Sequence, residues 1–198
     1  MKFTRTSKPA GLAYPLEVVK QHLRNNGYDG ENNITSVYIS AAVDDISRWT
    51  WKYLQNASYT ATLDGWNFET GQTDTVIIRM NPVTEITSIK YYDANGDLQT
   101  MSEGTDYYVS LSGDFARVQF ENMPTLRDQP FDNIEFTIKC GYLTHFEIPE
   151  DLVHALLLLV SDKFENRQSL TSGMASNFNE IPMSIKSILD NNSLRTVG

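Results

Sequence analysis

The stretch IPEDLVHALLLLVSDKF, residues 148–164, decides the fold more than any other part of the chain. Pro149 suits the first turn of a helix, and Glu150 and Asp151 place negative charge near the amino end, where the helix dipole favours it. The apolar residues that follow recur with helical spacing, which predicts a helix over residues 150–167. Because apolar side chains point in nearly every direction around this helix, we expect it to be buried nearly all round.

A second subunit is the natural cover for such a helix, since the rest of one chain offers only three more predicted helices and a small β region. The alternative is a central helix wrapped entirely by its own domain. On the first interpretation, we expect the subunit interface to include Val153, Leu157, Val160 and Phe164.

Upstream of this helix the hydrophobic period is that of β-strands. Short alternating runs are separated by turn signals about every ten residues, which is typical of a small antiparallel sandwich or barrel. Asn95-Gly96 lies between two of these runs and is a strong hairpin signal. The predicted strands cover residues 59–63, 75–80, 86–92, 98–101, 107–111, 116–120 and 134–140.

Helical spacing also occurs at both ends of the chain. Residues 15–25 predict a short helix ended by Gly27, and residues 33–55 predict a longer one. A polar connector over residues 168–179 is followed by Pro182, which opens a last short helix with an apolar stripe. The core side of the long helix is predicted to carry Ile34, Tyr38, Ala41, Ala42, Asp45, Trp49 and Tyr53.

The order of helices, strands and helices predicts an α+β protein, in which an α-helical bundle carries an inserted small antiparallel β domain. We place an N-terminal extension at residues 1–13, the discontinuous helical domain at 14–57 and 147–190, the β domain at 58–146 and a polar tail at 191–198.

Composition excludes several classes of protein. The 198 residues include 16 Lys and Arg against 25 Asp and Glu, a net charge of −9. This balance argues against a protein that grips nucleic-acid phosphates, although not against one that DNA merely passes. The single Cys140 cannot form an internal disulfide. The longest apolar run, residues 155–160, is far shorter than the roughly 20 residues that span a bilayer, so we expect a soluble protein with no membrane partner.

The sequence shows no catalytic pattern. His22, His145 and His154 lie in three different predicted elements, without metal-ligand spacing, and no nucleophile elbow or phosphate loop occurs. We therefore expect no catalytic residue, metal or cofactor.

Two alternatives stay open. An uncharacterised hydrolase would need carboxylates that converge around His145 and Glu147. A carbohydrate-binding or adhesive β module on a helical scaffold would expose aromatic residues on one face of the β domain, and the candidates are Trp66, Phe68, Tyr91, Tyr92, Tyr107 and Tyr108.

Several stretches, in their order and spacing, resemble the head–tail connector family of tailed bacteriophages, also called adaptor or head-completion proteins. They are YPLEVVKQHL at residues 14–23, TLDGW at 62–66, IRMNPVTEITSIKYYD at 78–93 and the helical stretch at 141–167. The resemblance covers roughly residues 14–189. The chain departs from the family pattern in its polar segment before Tyr14 and in residues 55–58, which replace a Gly-Arg turn.

The resemblance implies a non-enzymatic structural protein, made in the host cytoplasm and located in the virion at the head–tail interface. Such adaptors form a ring, usually of about twelve copies, beneath the portal through which the packaged genome passes. The implied partners are other copies of the chain, the portal protein, the next neck or tail protein, and double-stranded DNA that passes without sequence-specific binding. Contacts with the portal or a neighbour are expected from the C-terminal arm, at Ile185, Ile188, Leu189, Leu194, Arg195 and Val197.

Overall fold

The computed structural model describes residues 1–7, 9, 11–24, 32–66, 74–165 and 182–194. Within them the chain forms four α-helices and eight β-strands, which confirms the predicted α+β class. The helices are α1 (Leu16–His22), α2 (Asn32–Thr50), α3 (Glu150–Glu165) and α4 (Met183–Asn192). The strands are β1 (Lys2–Arg5), β2 (Ala57–Leu63), β3 (Thr75–Ile78), β4 (Val83–Tyr92), β5 (Leu98–Thr100), β6 (Tyr107–Ser110), β7 (Ala116–Phe120) and β8 (Ile134–Cys140).

The chain divides into two compact units. The β unit comprises Met1–Pro9 and Asn56–Gly141, and the helical unit comprises Ala10–Gln55 and Tyr142–Gly198. The chain therefore passes from one unit to the other three times.

The β unit contains two antiparallel sheets. One has five strands in the order β1-β2-β8-β4-β5, and the other has three in the order β3-β7-β6. The sheets meet in the core through Phe120 and Phe136, whose ring centroids lie 6.3 Å apart at 80°. The described strands close neither sheet into a barrel, so of the two predicted arrangements the barrel is not formed.

The Asn95-Gly96 hairpin prediction is confirmed, because β4 and β5 pair with Tyr92 opposite Leu98. Gly96 has a φ of +87°, a conformation that most other residues adopt only with strain. Asp93 Oδ1 accepts hydrogen bonds from the backbone N–H groups of Asn95 at 2.9 Å and Asp97 at 3.1 Å, so one side chain organises the whole turn.

The first residues of the chain form a strand that the sequence analysis did not predict. β1 is an edge strand that pairs with β2, from Lys2 opposite Thr62 to Arg5 opposite Tyr59. The pairing continues beyond the strand, since Ser58 N–H donates to Ser7 Oγ at 2.9 Å. These residues therefore belong to the β unit.

The helical unit has one core to which all four helices contribute. α2 and α3 each contact the other three helices, so this pair lies at the centre of the unit. Asp45 of α2 forms one ion pair with Lys163 of α3, at 2.8 Å, and another with Arg48, at 3.0 Å. Fully buried side chains of this core include Val19, Ile39, Ile46, Leu152, Leu156 and Leu189.

The structure corrects the prediction for α2 in two respects. The helix ends at Thr50 and not near residue 55, because Trp51 adopts a left-handed φ of +61° and Thr50 Oγ accepts the Lys52 N–H. Its buried residues are also displaced by about one position, or about 100°, from the predicted stripe. They are Thr35, Ile39, Ala42, Val43, Ile46 and Thr50, so only Ala42 is shared with the prediction.

Some predicted features lie outside the described residues. These are the Gly27 cap, the connector at 168–179, the aromatic Phe68, and Arg195 and Val197 of the C-terminal arm.

Candidate assembly surfaces

α3 is covered by its own unit more completely than its sequence predicts. One face, which includes Leu152, Leu156 and Leu159, is buried in the core. Val153, Leu157 and Leu158, on the other side, are partly buried and pack against the same core. Three helices of the same chain thus supply most of the cover for this apolar surface.

The four predicted interface residues of α3 therefore have different environments. Val160 is fully buried within its own unit and offers no exposed surface in the single subunit. Val153, Leu157 and Phe164 are only partly buried and stay candidates for subunit contacts.

The predicted contact residues of α4 lie in or against the core of the helical unit. Ile185 and Leu189 are buried in the core of the helical unit, and Ile188 packs against that core. The helix therefore docks on its own chain, whereas Met183 at its amino end is 87% exposed.

The last turn of α4 and the residues after it bond to the end of α2. Trp49 Nε1 donates to Asp190 Oδ1 at 2.8 Å, and Leu194 N–H donates to the carbonyl of Thr50 at 3.0 Å. Ser193 Oγ donates to the carbonyl of Trp49 at 3.2 Å. The start of the polar tail is therefore tied to its own subunit as far as Leu194.

Among the loops of the helical unit that the structure describes, the short loop before α3 carries the most exposed apolar side chain. We call residues 142–147 the apolar loop. Its Phe146 is 86% exposed and its Leu143 is 68% exposed. Leu143 N–H donates to Glu147 Oε2 at 3.0 Å, and the His145 and Phe146 rings are in tilted contact, with centroids 3.9 Å apart at 37°. Tyr14 meets His145 edge-on at 5.7 Å, so the loop also contacts the segment before α1.

A second apolar surface lies near the amino end of α2. Val37 is 59% exposed and Ile34 is 38% exposed, and we call these two residues the α2 patch. No charged residue occurs in residues 32–43, so no face of this part of the helix carries a charge. The predicted stripe of α2 had placed Ile34 in the core, whereas the structure places it on the surface.

The aromatic residues of the β unit serve mainly in packing. Tyr107 is buried, and Trp66 packs on Phe120 at 5.1 Å while its Nε1 donates to the carbonyl of Pro124. The Arg127 guanidinium covers the Tyr92 ring at 3.8 Å. Tyr91 is half-buried, and Tyr108 is half-exposed with its hydroxyl donating to the carbonyl of Gly104. These rings do not form a common exposed platform for a sugar.

The residues proposed for a hydrolase have structural partners. The Glu147 carboxylate accepts from Leu143 N–H, and His145 lies between two aromatic rings. Burial raises the pKa of the Cys140 thiol well above its ordinary value. In the part of the chain that the structure describes, no three His, Cys, Asp or Glu side chains are grouped as metal ligands. The described helices include none long and apolar enough to cross a membrane.

Comparison with solved structures identifies proteins that share this fold. The chain is 20% identical to a chain from the neck of an empty gene transfer agent particle computed with C6 symmetry, with a TM-score of 0.76. It is 19% identical to a chain from the virion of a native gene transfer agent particle, with a TM-score of 0.77. A chain from the neck of a native particle computed with C12 symmetry is also 19% identical, with a TM-score of 0.75.

In each case the similarity covers 100% of this chain and 98% of the other. No protein-family model and no curated protein matches the sequence. At the level of the fold, the likeness to neck proteins agrees with the resemblance to head–tail connectors that the sequence motifs carry.

Proposed function

We propose that this chain is a structural neck protein of a tailed, phage-like particle. In this role it forms a connector ring beneath the portal, joins the capsid to the tail and lets double-stranded DNA pass. The observation that carries the proposal is the fold similarity, which extends over the whole chain and almost the whole of each neck protein. A shared small motif would not produce such coverage in both units.

Three further observations support the proposal. The similar neck structures were computed with C6 and C12 symmetry, which is consistent with a closed ring of this chain, of about twelve copies. The helical unit exposes several large apolar side chains, among them those of the apolar loop, the α2 patch and Met183, as expected of a subunit with neighbours. The net charge of −9 disfavours retention of DNA by phosphate contacts, which suits a channel through which a genome must move.

The proposed partners are further copies of the chain, the portal protein and the next neck or tail protein, and the proposed location is the head–tail interface of the virion. Ile188 and Leu194 keep partly exposed surface near the C-terminal end, and with Arg195 and Val197 they remain proposed contacts with the portal. We propose no catalytic activity for the chain.

Electron microscopy of the purified protein, alone and mixed with the portal protein of the same particle, tests this function. We expect rings that stack coaxially on the portal, either formed beforehand or templated by it. A protein that stays monomeric at high concentration and does not bind the portal would contradict the proposal.

A further inference from the structure

We infer that the apolar loop of one subunit packs against the α2 patch of the next subunit around the ring. This inference deepens the proposed function and rests on it. The occupant of each surface is thus a second copy of this chain, with Phe146 and Leu143 as the inserted side chains and Val37 and Ile34 as the receiving surface.

The positions of the two surfaces fit a head-to-tail contact. Ile34 lies in the first turn of α2, whereas Tyr142, at the start of the apolar loop, donates its N–H to the carbonyl of Tyr53, beyond the carboxyl end of that helix. α2 has 19 residues, and at 1.5 Å per residue the helix is about 28 Å long. The two surfaces therefore lie near opposite ends of one helix and cannot cover each other within a subunit.

A closed ring needs this kind of pair. Around a ring every subunit presents one surface to the neighbour on its left and a different surface to the neighbour on its right. Two separate apolar surfaces on one compact unit meet that requirement, whereas a single self-complementary surface would favour a twofold dimer.

The charge distribution also matches an interface centre, where charged residues are depleted and aromatic residues are enriched. Residues 32–43 contain no charged side chain, and the apolar loop contains one carboxylate, Glu147, and no lysine or arginine. The Glu147 carboxylate accepts a hydrogen bond from Leu143 N–H, so it has a partner within its own loop.

The conformation of the apolar loop in the single subunit also favours binding. The bond from Leu143 to Glu147 and the contacts of His145 with Tyr14 and Phe146 restrict the loop within the single subunit. Binding then sacrifices less conformational freedom than it would with a mobile loop.

Cysteine cross-linking tests the inference directly. Val37→Cys and Phe146→Cys are made in separate chains, which are mixed, assembled on the portal protein of the same particle and oxidised. The native Cys140 is buried, and burial raises the pKa of its thiol, so it does not compete. We expect a disulfide between the two different variants and none between two copies of either one.

A substitution measures the strength of the same contact. We expect Phe146→Ser to raise the protein concentration needed for half-maximal ring assembly about tenfold or more, as for a central aromatic residue of an interface. Phe146 is 86% exposed, so its replacement should leave the circular dichroism spectrum and the melting temperature unchanged. Phe131→Ser is the matched control, because Phe131 is 67% exposed but belongs to the β unit, and it should assemble normally.

The outcomes separate the inference from the proposed function. Rings that form without the mixed disulfide overturn the inference and leave the function intact. A Phe146→Ser variant that forms normal rings but no longer binds the portal assigns the loop to the portal, and also overturns it. The absence of rings under every condition, together with the absence of the disulfide, overturns both, and a mixed disulfide in open oligomers supports the contact but contradicts the closed ring.

Discussion

At the scale of single residues, Asn133 ties three segments of the β unit together. Its Nδ2 donates to the carbonyls of Asp64 at 2.8 Å and Gln129 at 2.7 Å, and its Oδ1 accepts from Arg127 Nε at 2.8 Å. The residue is 3% exposed, so these three bonds satisfy the amide of a side chain that water does not reach.

We expect Asn133→Ala to lower the free energy of unfolding of the β unit by about 1–3 kcal/mol, since it removes three side-chain hydrogen bonds. Asn95→Ala is the control, because Asn95 is exposed in the hairpin turn, and there we expect a change within about 0.5 kcal/mol. Urea unfolding followed by circular dichroism measures both, and equal stability of the two variants would contradict the role of Asn133.

The Asp93 carboxyl makes the stability of the β unit depend on pH, and the direction follows from its pKa shift. The hydrogen bond from the Gln99 side chain, followed by that from the Asp97 backbone, lowers the pKa of Asp93 below its ordinary value of 3.8. The ionised form is therefore favoured by folding. Its contribution to stability is present above the unfolded pKa and is lost as the pH falls through the folded one.

We predict that the urea midpoints of the wild type and of Asp93→Asn differ at neutral pH and converge as the pH falls below 3.8. An NMR titration of the Asp93 carboxyl should place its pKa below that value. A difference between the midpoints that stays constant with pH would show that the turn does not depend on the charge.

At the scale of elements, strands with clear alternation are predictable and isolated edge strands are not. β7 and β8 have the bounds that their alternating sequences predict, because both lie inside a sheet with one face in the core. β1 has one apolar residue, Phe3, and its partner β2 lies more than 50 residues further along the chain. No local pattern indicates such a pairing.

For the helices too, some features follow from the local sequence and others depend on tertiary packing. Helical spacing correctly predicts that α2 exists, but the first part of this helix is uncharged on every face, so the spacing alone cannot select the buried side. The end of α2 just before Trp51 cannot be predicted from the sequence either, since a tryptophan in the left-handed conformation is unusual and depends on its surroundings.

The apolar loop was missed for another reason. A loop has no period, and the exposure of Leu143 and Phe146 is decided by tertiary packing. The available signal was the pair Leu143 and Phe146 in the short segment between Gly141 and Pro149, where a solvent-facing loop is usually polar.

The docking of α4 on its own subunit leads to a prediction for this element. Leu189 is fully buried, so Leu189→Ala should lower the free energy of unfolding of the dilute monomer by about 2–5 kcal/mol. Met183→Ala, in the same helix but at an 87% exposed position, should change it by less than about 0.5 kcal/mol. If Leu189→Ala affects only the assembled ring and not the monomer, α4 instead packs on a neighbouring subunit.

At the scale of the whole molecule, the chain leaves the helical unit and returns to it at nearly the same point. Tyr142 N–H donates to the carbonyl of Tyr53 at 3.3 Å, so the two ends created by removing the β unit are already adjacent. Within the β unit, Ala57 pairs with Cys140, which brings its own two ends together. An inserted domain with adjacent ends can be removed at little cost in loop entropy.

We therefore predict that residues 10–55, joined to residues 142–198 by about four Gly and Ser residues, fold without the β unit. The core of α1 to α4 is complete within these segments, so the shortened chain should keep its helical circular dichroism signal and melt cooperatively. Leu156→Asp in the same shortened chain is the control, because an unpaired charge in that core should abolish the fold. Loss of the helical signal without this substitution would show that the helical unit needs the β unit in order to fold. The β unit would then be an insertion in the sequence but not an independent domain.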